Sequence, residues 1–151
     1  MRVEDLPGRI VVDASVALKW VLEEEQSDWA EALGSGRELV TSGLLWPEAG
    51  NAIAMRVRRG ELDRVRGNDA LRDLRAAPLR TRPLDGNGVL AAFSIACDLT
   101  HPIYDCCYLA LAIEENSVVV TADRRFRSAV ARHPSLADRV VLLRDIVLHE
   151  R

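Results

Sequence analysis

Short β-branched runs alternate with helix-patterned stretches along this chain, and that alternation constrains the fold more than any other feature. Arg9-Ile-Val-Val12, Glu38-Leu-Val-Thr41, Ser117-Val-Val-Val-Thr121 and Arg139-Val-Val-Leu-Leu143 have the compact apolar character of buried strands, and Leu79–Leu84 is a weaker fifth. Helical patterns lie between them, over Ala14–Leu22, Ser27–Leu33, Pro47–Arg59, Leu62–Ala76, Asn87–Cys97, Tyr104–Glu115 and Asp123–Arg132. Strands separated by helices require right-handed crossovers, so the sequence predicts an α/β fold with a parallel sheet covered on both faces. The 151 residues, 48% hydrophobic, suffice for one domain over 1–151, with no repeat, linker or composition break. Only 5% is aromatic, so the predicted core is aliphatic.

Composition and missing motifs exclude several function classes. No apolar run approaches the ~18 residues of a membrane span. Met1–Gly8 carries acids and no apolar stretch, unlike a signal peptide, so a cytoplasmic protein without a membrane association is expected. Cys97, Cys106 and Cys107 form an odd set without CxxC, which predicts three packed thiols rather than disulfides or a zinc site. Of 20 basic residues only Lys19 is lysine, which excludes a P-loop and a phospho-receiver lysine; Lys19 itself is expected to snorkel at the surface. His101, His133 and His149 form no HExxH and no His–Asp pair, and read as loop or surface residues. No GxSxG exists, and the haloacid-dehalogenase pattern fails at Ser15, where it needs a second Asp. The net charge of −3 argues against a surface that coats nucleic acid generally, but leaves room for a local basic one.

Ligands of parallel sheets collect outside the carboxyl ends of the strands. Asp13 directly follows the first strand and Asp123 the Val118–Ala122 run. Glu48 and Asp105 fall in the first turns of the Pro47 and Tyr104 helices, whose starts lie near the same edge. Taken singly, each acid is explained by helix capping or by the helix dipole. Taken together, four carboxylates at one edge repel, and burying them uncompensated costs several kcal/mol per charge. A divalent cation removes that cost, and Mg²⁺ or Mn²⁺ prefers such oxygen ligands. Ser15 and Thr121 are placed to hydrogen-bond a carboxylate, and Asn51, three residues after Glu48, shares its helix face.

Ile10-Val-Val-Asp-Ala-Ser15, Pro47-Glu-Ala-Gly-Asn51, Tyr104-Asp-Cys-Cys-Tyr-Leu-Ala-Leu-Ala112 and Thr121-Ala-Asp-Arg-Arg-Phe126 together resemble the PIN domain, in particular the VapC-type toxins. The likeness spans nearly the whole chain with the four motifs in order. It implies a three-layer α/β/α fold, a Mg²⁺- or Mn²⁺-dependent ribonuclease, a homodimer, and a cognate VapB-type antitoxin. It also implies an acidic site of Asp13, Glu48, Asp105 and Asp123, supported by Ser15, Asn51 and Thr121. Two departures stand out: Cys106 and Cys107 occupy positions where small residues such as alanine are usual, and residues 1–8 exceed the usual lead to the first strand.

Phosphodiester cleavage needs a nucleophile and neutralisation of phosphate charge, and a cation at this site supplies both. Asp13 and Asp105 are assigned as principal metal ligands, with Asp123 in the first or outer shell and Glu48 acting through water or as general base. Arg124, Arg125 and Arg127, just after Asp123, and Arg56, Arg58 and Arg59, at the end of the Glu48 helix, are two clusters that could flank the groove, with Arg124 and Arg125 the candidate RNA contacts. Trp20, Trp29 and Trp46 suggest a groove for an amphipathic antitoxin segment, although ordinary packing accounts for at least one of them. Two alternatives stay open: a PIN-fold nuclease in RNA maturation or acting on DNA, and a catalytically silent nucleic-acid-binding module.

Overall fold

Five strands, β1 (Arg9–Val12), β2 (Glu38–Ser42), β3 (Leu79–Arg82), β4 (Val119–Thr121) and β5 (Val140–Leu142), form one sheet in the order β3-β2-β1-β4-β5. All neighbours in it are parallel. The computed structural model describes residues 1–148, so His149 lies outside the described residues. Seven α-helices connect the strands among these residues: α1 (Ala14–Ala17), α2 (Ser27–Leu33), α3 (Leu45–Arg58), α4 (Arg64–Ala76), α5 (Gly86–Leu99), α6 (Ile103–Glu114) and α7 (Arg124–Ala131).

The chain winds outward from β1 through β2 to β3, then returns to lay β4 on the other side of β1. Val11 therefore pairs with both Val40 and Val119. This reversal makes the β1–β4 junction the topological switch point, the place at the carboxyl edge where open parallel sheets bind their ligands.

Alternation along the strands sends residues to two faces. Val11, Val40, Val119 and Val140 pack with Leu45 and Ile53 of α3, Leu74 of α4, Tyr108 and Leu109 of α6, and Phe126 and Val130 of α7. Ile10, Val12, Leu39, Val120 and Val141 pack instead with Val16, with Ala30 and Leu33 of α2, and with Leu6, Leu143 and Ile146. The result is the three-layer α/β/α arrangement that the resemblance implies. Gly67 of α4 sits where an added Cβ would lie 3.1 Å from Ile53 Cγ2 and 3.2 Å from Val57 Cγ2, so its missing side chain sets how closely α4 approaches α3.

All five predicted strands form, and the helices differ from the pattern mainly at their ends. α3 starts at Leu45 rather than Pro47, which puts the proline third in the helix, where no N–H partner is required. Gly60, at φ +75°, ends the same helix. α1 closes at Ala17 and tightens into a 3₁₀ turn, Leu18–Trp20, that buries both Leu18 and Leu22.

Two smaller expectations, on Lys19 and Cys97, are corrected. Lys19 does not snorkel: its side chain is 10% exposed and its ammonium reaches Glu24 at 3.3 Å and the Glu25 carbonyl at 2.7 Å. Cys106 and Cys107 are packed thiols, but Cys97 is exposed. α5 buries only Ala92, because it packs outside α6 rather than on the sheet. Leu90 and Phe93 on its outer face are consequently 68% and 59% exposed. Residues 1–8 are docked: Leu6 is buried, Arg2 bridges Val147, and the Arg37 guanidinium donates to the Val3 carbonyl. Among the described residues no helix is long and apolar enough to cross a membrane.

Candidate active site

The capping reading of Asp13 holds. Asp13 ends β1 and caps α1. Its Oδ1 accepts the Val16 N–H at 3.2 Å and the Ser15 hydroxyl at 2.6 Å, and its Oδ2 accepts the Thr121 hydroxyl. Thr121 is the last residue of β4, and its Oγ1 also accepts the Asp123 N–H at 3.0 Å. Ser15 Oγ accepts the Ala122 N–H at 2.9 Å. Ser15 and Thr121 thus stitch the ends of β1 and β4 together and fix the carboxylate between them. Asp13 is only 4% exposed, and burial pushes its carboxyl up to about 6 despite these three hydrogen bonds.

Asp123 caps α7, its Oδ1 accepting the N–H groups of Arg125 at 2.8 Å and Phe126 at 3.2 Å. Glu48 lies in the first turn of α3, half-buried, and its Oε1 accepts the Tyr108 hydroxyl at 2.6 Å. Burial raises the Glu48 carboxyl, Tyr108 opposes that rise, and the Asp105 charge adds to it. Asp105 occupies the first turn of α6, three residues before Tyr108, so one helix face carries both. Burial raises its carboxyl, the hydrogen bond from His101 lowers it, and the Asp123 charge raises it further. Asp105 is therefore the common neighbour: it acts on Asp13 and Glu48 and is acted on by Asp123.

The four acids share a field without forming a closed chelate. Among the described residues no three His, Cys, Asp or Glu side chains converge closely enough to hold one ion directly. Asn51 stands apart from this network; it is exposed and its amide is directed at Met55 Sδ, 3.8 Å away.

Sequence reasoning missed His101. It found no His–Asp pair, yet His101 Nε2 lies 2.6 Å from Asp105 Oδ2, and the ring stacks on Phe126 with centroids 5.5 Å apart. Thr100 ends α5 in the left-handed conformation, at φ 51°, and that turn brings the imidazole back over the start of α6. The only available signal was a histidine four residues before an N-terminal helix Asp, across Pro102. Burial pushes the neighbouring Cys106 thiol up to about 12, and burial likewise raises Cys107, so both stay protonated and unreactive near neutral pH.

Arg124 and Arg125 are exposed at the start of α7 and line a cleft of about 490 Å³ together with His101. The second arginine cluster does not flank the carboxylates. Arg56 is bound to Glu24, and Arg58 and Arg59 sit at the far end of α3, about 15 Å along the helix from Glu48.

The PIN domain family model matches residues 10–131, from β1 through α7. The chain belongs to the PIN domain family. Its fold is shared with PAE2754 from Pyrobaculum aerophilum, at TM-score 0.64 and 21% identity over 80% of this chain and 78% of that one. VapBC2 from Rickettsia felis, solved bound to a DNA fragment from its promoter, superposes at TM-score 0.62 and 13% identity, covering 89% of this chain and 98% of that one. Mycobacterium tuberculosis VapC20, described as a toxin that cleaves the sarcin–ricin loop, superposes at 0.61 and 15% identity, covering 80% and 94%. No curated protein matches the chain in sequence. The Leu6 clamp and the segment from β5 to Val147 fall outside the matched PIN residues and lie against each other.

Proposed function

We propose that this PIN-domain chain, one domain over 1–151, is a cytoplasmic, divalent-metal-dependent endoribonuclease acting as the toxin of a toxin–antitoxin pair. One observation carries the reading: Asp105 lies within charge reach of Asp13, Glu48 and Asp123 at the switch point, and among the described residues no cationic side chain pairs with the buried Asp13. The donor set is all carboxylate oxygen, which fits Mg²⁺ or Mn²⁺. Asp13 and Asp105 would hold the ion, and Asp123 would act on it through a bound water at the oxygen not engaged in capping. Mg²⁺ characteristically keeps several waters, so one or two direct carboxylates suffice. When bound, the cation supplies a Lewis acid for the phosphoryl oxygens and lowers the pKa of the attacking water.

The protein's own groups do the rest. Ser15 and Thr121 fix Asp13, and His101 fixes Asp105. Glu48, its proton affinity raised by burial and its orientation set by Tyr108, takes the proton from the nucleophile. Arg124 and Arg125 contact the RNA backbone. The experiment is incubation of total RNA with the purified protein, with Mg²⁺ or with EDTA, followed by mapping of the new ends. Metal-dependent cleavage that Asp105→Asn abolishes, with an unchanged thermal unfolding profile, supports the reading; full activity in EDTA refutes it.

Solved VapBC complexes of the same fold support an antitoxin partner for this chain. Trp29 is committed to packing, its Nε1 donating to the Ile146 carbonyl at 2.9 Å. Trp20 and Trp46 are half-buried and remain the proposed antitoxin contacts. Cutting both to alanine should weaken antitoxin binding without unfolding the chain. The homodimer is assigned to the outer face of α5, where Leu90 and Phe93 lie on a stripe with no charge from Gly86 to Cys97. An uncharged stripe is self-complementary across a two-fold axis, so a second copy is its occupant.

A further inference from the structure

Some arginines of this chain are committed to ion pairs, and others, on α4 and at the end of α3 as well as around α7, are not among the described residues. Arg9 and Arg80 pair with Glu38, Arg9 and Arg82 with Glu115, and Arg56 with Glu24. Arg124, Arg125, Arg127 and Arg132 on and just after α7, and Arg144 after β5, make no ion pair among the described residues. Asp145 lines the second of the clefts they border, and Asp123, with one oxygen engaged in capping, precedes them. Such a concentration of positive charge, in a chain of net charge −3, creates a local field that attracts an anion. Arg127 adds a sharper sign: its Nη1 is buried and has no hydrogen-bond partner among the described residues. Buried guanidinium donors are normally satisfied, so this one is available to an acceptor brought by a ligand.

Helical spacing sorts these residues onto two sides of α7. Arg125, Ser128, Ala129 and Arg132 follow an i, i+3, i+4, i+7 stripe and line the cleft of about 490 Å³ whose far wall is Thr100 and His101. Arg124, Arg127, Ser128 and Ala131 line a second cleft, of about 370 Å³, closed by Arg144 and Asp145. Arg124 and Ser128 border both, so the clefts adjoin over the start of α7. His101, which holds Asp105, is the wall shared between the first cleft and the carboxylates.

We propose that these two clefts are phosphate subsites for the RNA backbone on one side of the scissile bond, so that the strand leaves the carboxylates across α7 toward the β5 edge. The inference rests on the ribonuclease reading and adds to it a direction for the strand, a defined subsite for Arg127, and two further contacts, Arg132 and Arg144. An RNA backbone is the occupant that the observations favour over an acidic protein. The clefts abut the place where a phosphate must sit for cleavage, and their donors are arginines and hydroxyls, which suit phosphate oxygens.

The test measures binding of a fluorescein-labelled single-stranded oligouridylate to the Asp13→Asn protein by anisotropy, across a series of KCl concentrations. Two double variants in that background, Arg125→Ala with Arg132→Ala and Arg127→Ala with Arg144→Ala, are compared with Arg72→Ala with Arg75→Ala on α4. Each α7 pair should weaken binding at least ~10-fold and reduce the slope of log K against log salt by about 1.4, as expected for two lost phosphate contacts on a single strand. The α4 pair should match its parent. Thermal unfolding checks each variant, and the Arg125–Arg132 pair, both exposed, keeps the test valid if the Arg127 variant fails to fold. An unchanged salt slope in a folded α7 variant overturns the proposal. So does loss of antitoxin binding with RNA binding intact, which would make the surface a protein contact. If the unsubstituted chain cleaves RNA with Mg²⁺ while the slopes stay unchanged, the strand path is wrong and the ribonuclease reading stands. If the chain neither cleaves nor binds RNA, both fall.

Discussion

Replacing Asp13 by Asn should make the metal-free protein more stable while destroying its activity. The Asp13 carboxyl is buried and raised from its ordinary 3.8 to about 6, chiefly by loss of water around the charge. A difference of that size corresponds to about 3 kcal/mol, at 1.36 kcal/mol per pKa unit. The sign follows from proton binding. Between pH 3.8 and about 6 the folded carboxyl holds a proton that the unfolded one has released, so stability falls as pH rises through this window. Above it the ionised, buried carboxylate is a standing penalty. Asn is neutral at every pH; its Oδ1 can still accept from Ser15 and Val16, and its amide can donate to Thr121 Oγ1. In EDTA at pH 7.5, urea unfolding should therefore show Asp13→Asn more stable by up to about 3 kcal/mol, a midpoint about 1–2 M higher. The gap should close as pH is lowered to 4. Mg²⁺ should raise the stability of the wild type only, by about 2.7 kcal/mol at 100 times its Kd. An Asn variant that is less stable than wild type at pH 7.5, or a gap that does not change between pH 4 and 8, would refute the reasoning.

Three further outcomes are expected. His101→Ala should lower Mn²⁺ affinity about 10-fold, measured by calorimetry on the nuclease-competent protein, and His101→Gln should restore part of it by supplying a donor near the position of Nε2; equal affinity in all three proteins would remove His101 from the site. Phe93→Glu should convert a dimer to a monomer in light scattering, with an unchanged unfolding midpoint because the side chain is exposed; a persistent dimer would place the interface elsewhere. Leu6→Ala should destabilise the fold by about 2–3 kcal/mol in urea unfolding, since Leu6 is buried among Ile10, Val12 and Ile146; a change below about 0.5 kcal/mol would make residues 1–8 dispensable.

The sheet was legible because β-branched runs in a chain with few aromatics have few other uses, and because parallel strands buried on both faces lose the polar alternation that marks exposed ones. The acids were legible because strand ends and helix starts are positions that sequence can locate. What escaped depended on partners distant along the chain or on the order in which layers stack. Thr121 reaches Asp13 only because β4 lies beside β1, a register that no local pattern specifies. α5 has the composition of a buried helix yet buries one residue, since α6 takes the place on the sheet. Lys19 looked like a surface lysine because its pairing with Glu24 depends on the turn that follows the 3₁₀ segment.

The same local devices serve both folding and function at this edge, which is why single-residue arguments undervalued it. A cap at Asp13 and a cap at Asp123 would each be satisfied in any α/β sheet, and neither demands a metal. The difference lies in what surrounds the caps. An ordinary capping Asp sits at the surface, where water screens its charge, whereas Asp13 is enclosed by β1, β4 and α1 and faces Asp105 rather than a lysine or arginine. The chain has arginines enough to neutralise it and holds them elsewhere: five stand unpaired around α7, and those nearer the other edge bind Glu38, Glu115 and Glu24. Keeping positive side chains out of the carboxylate cluster, while gathering them beside it, is the arrangement the proposed reaction requires: an inner position for a divalent cation and an outer one for phosphates. A protein selected for stability alone would replace these acids by neutral side chains, as Asp13→Asn does, and the proposed reaction would be lost with them.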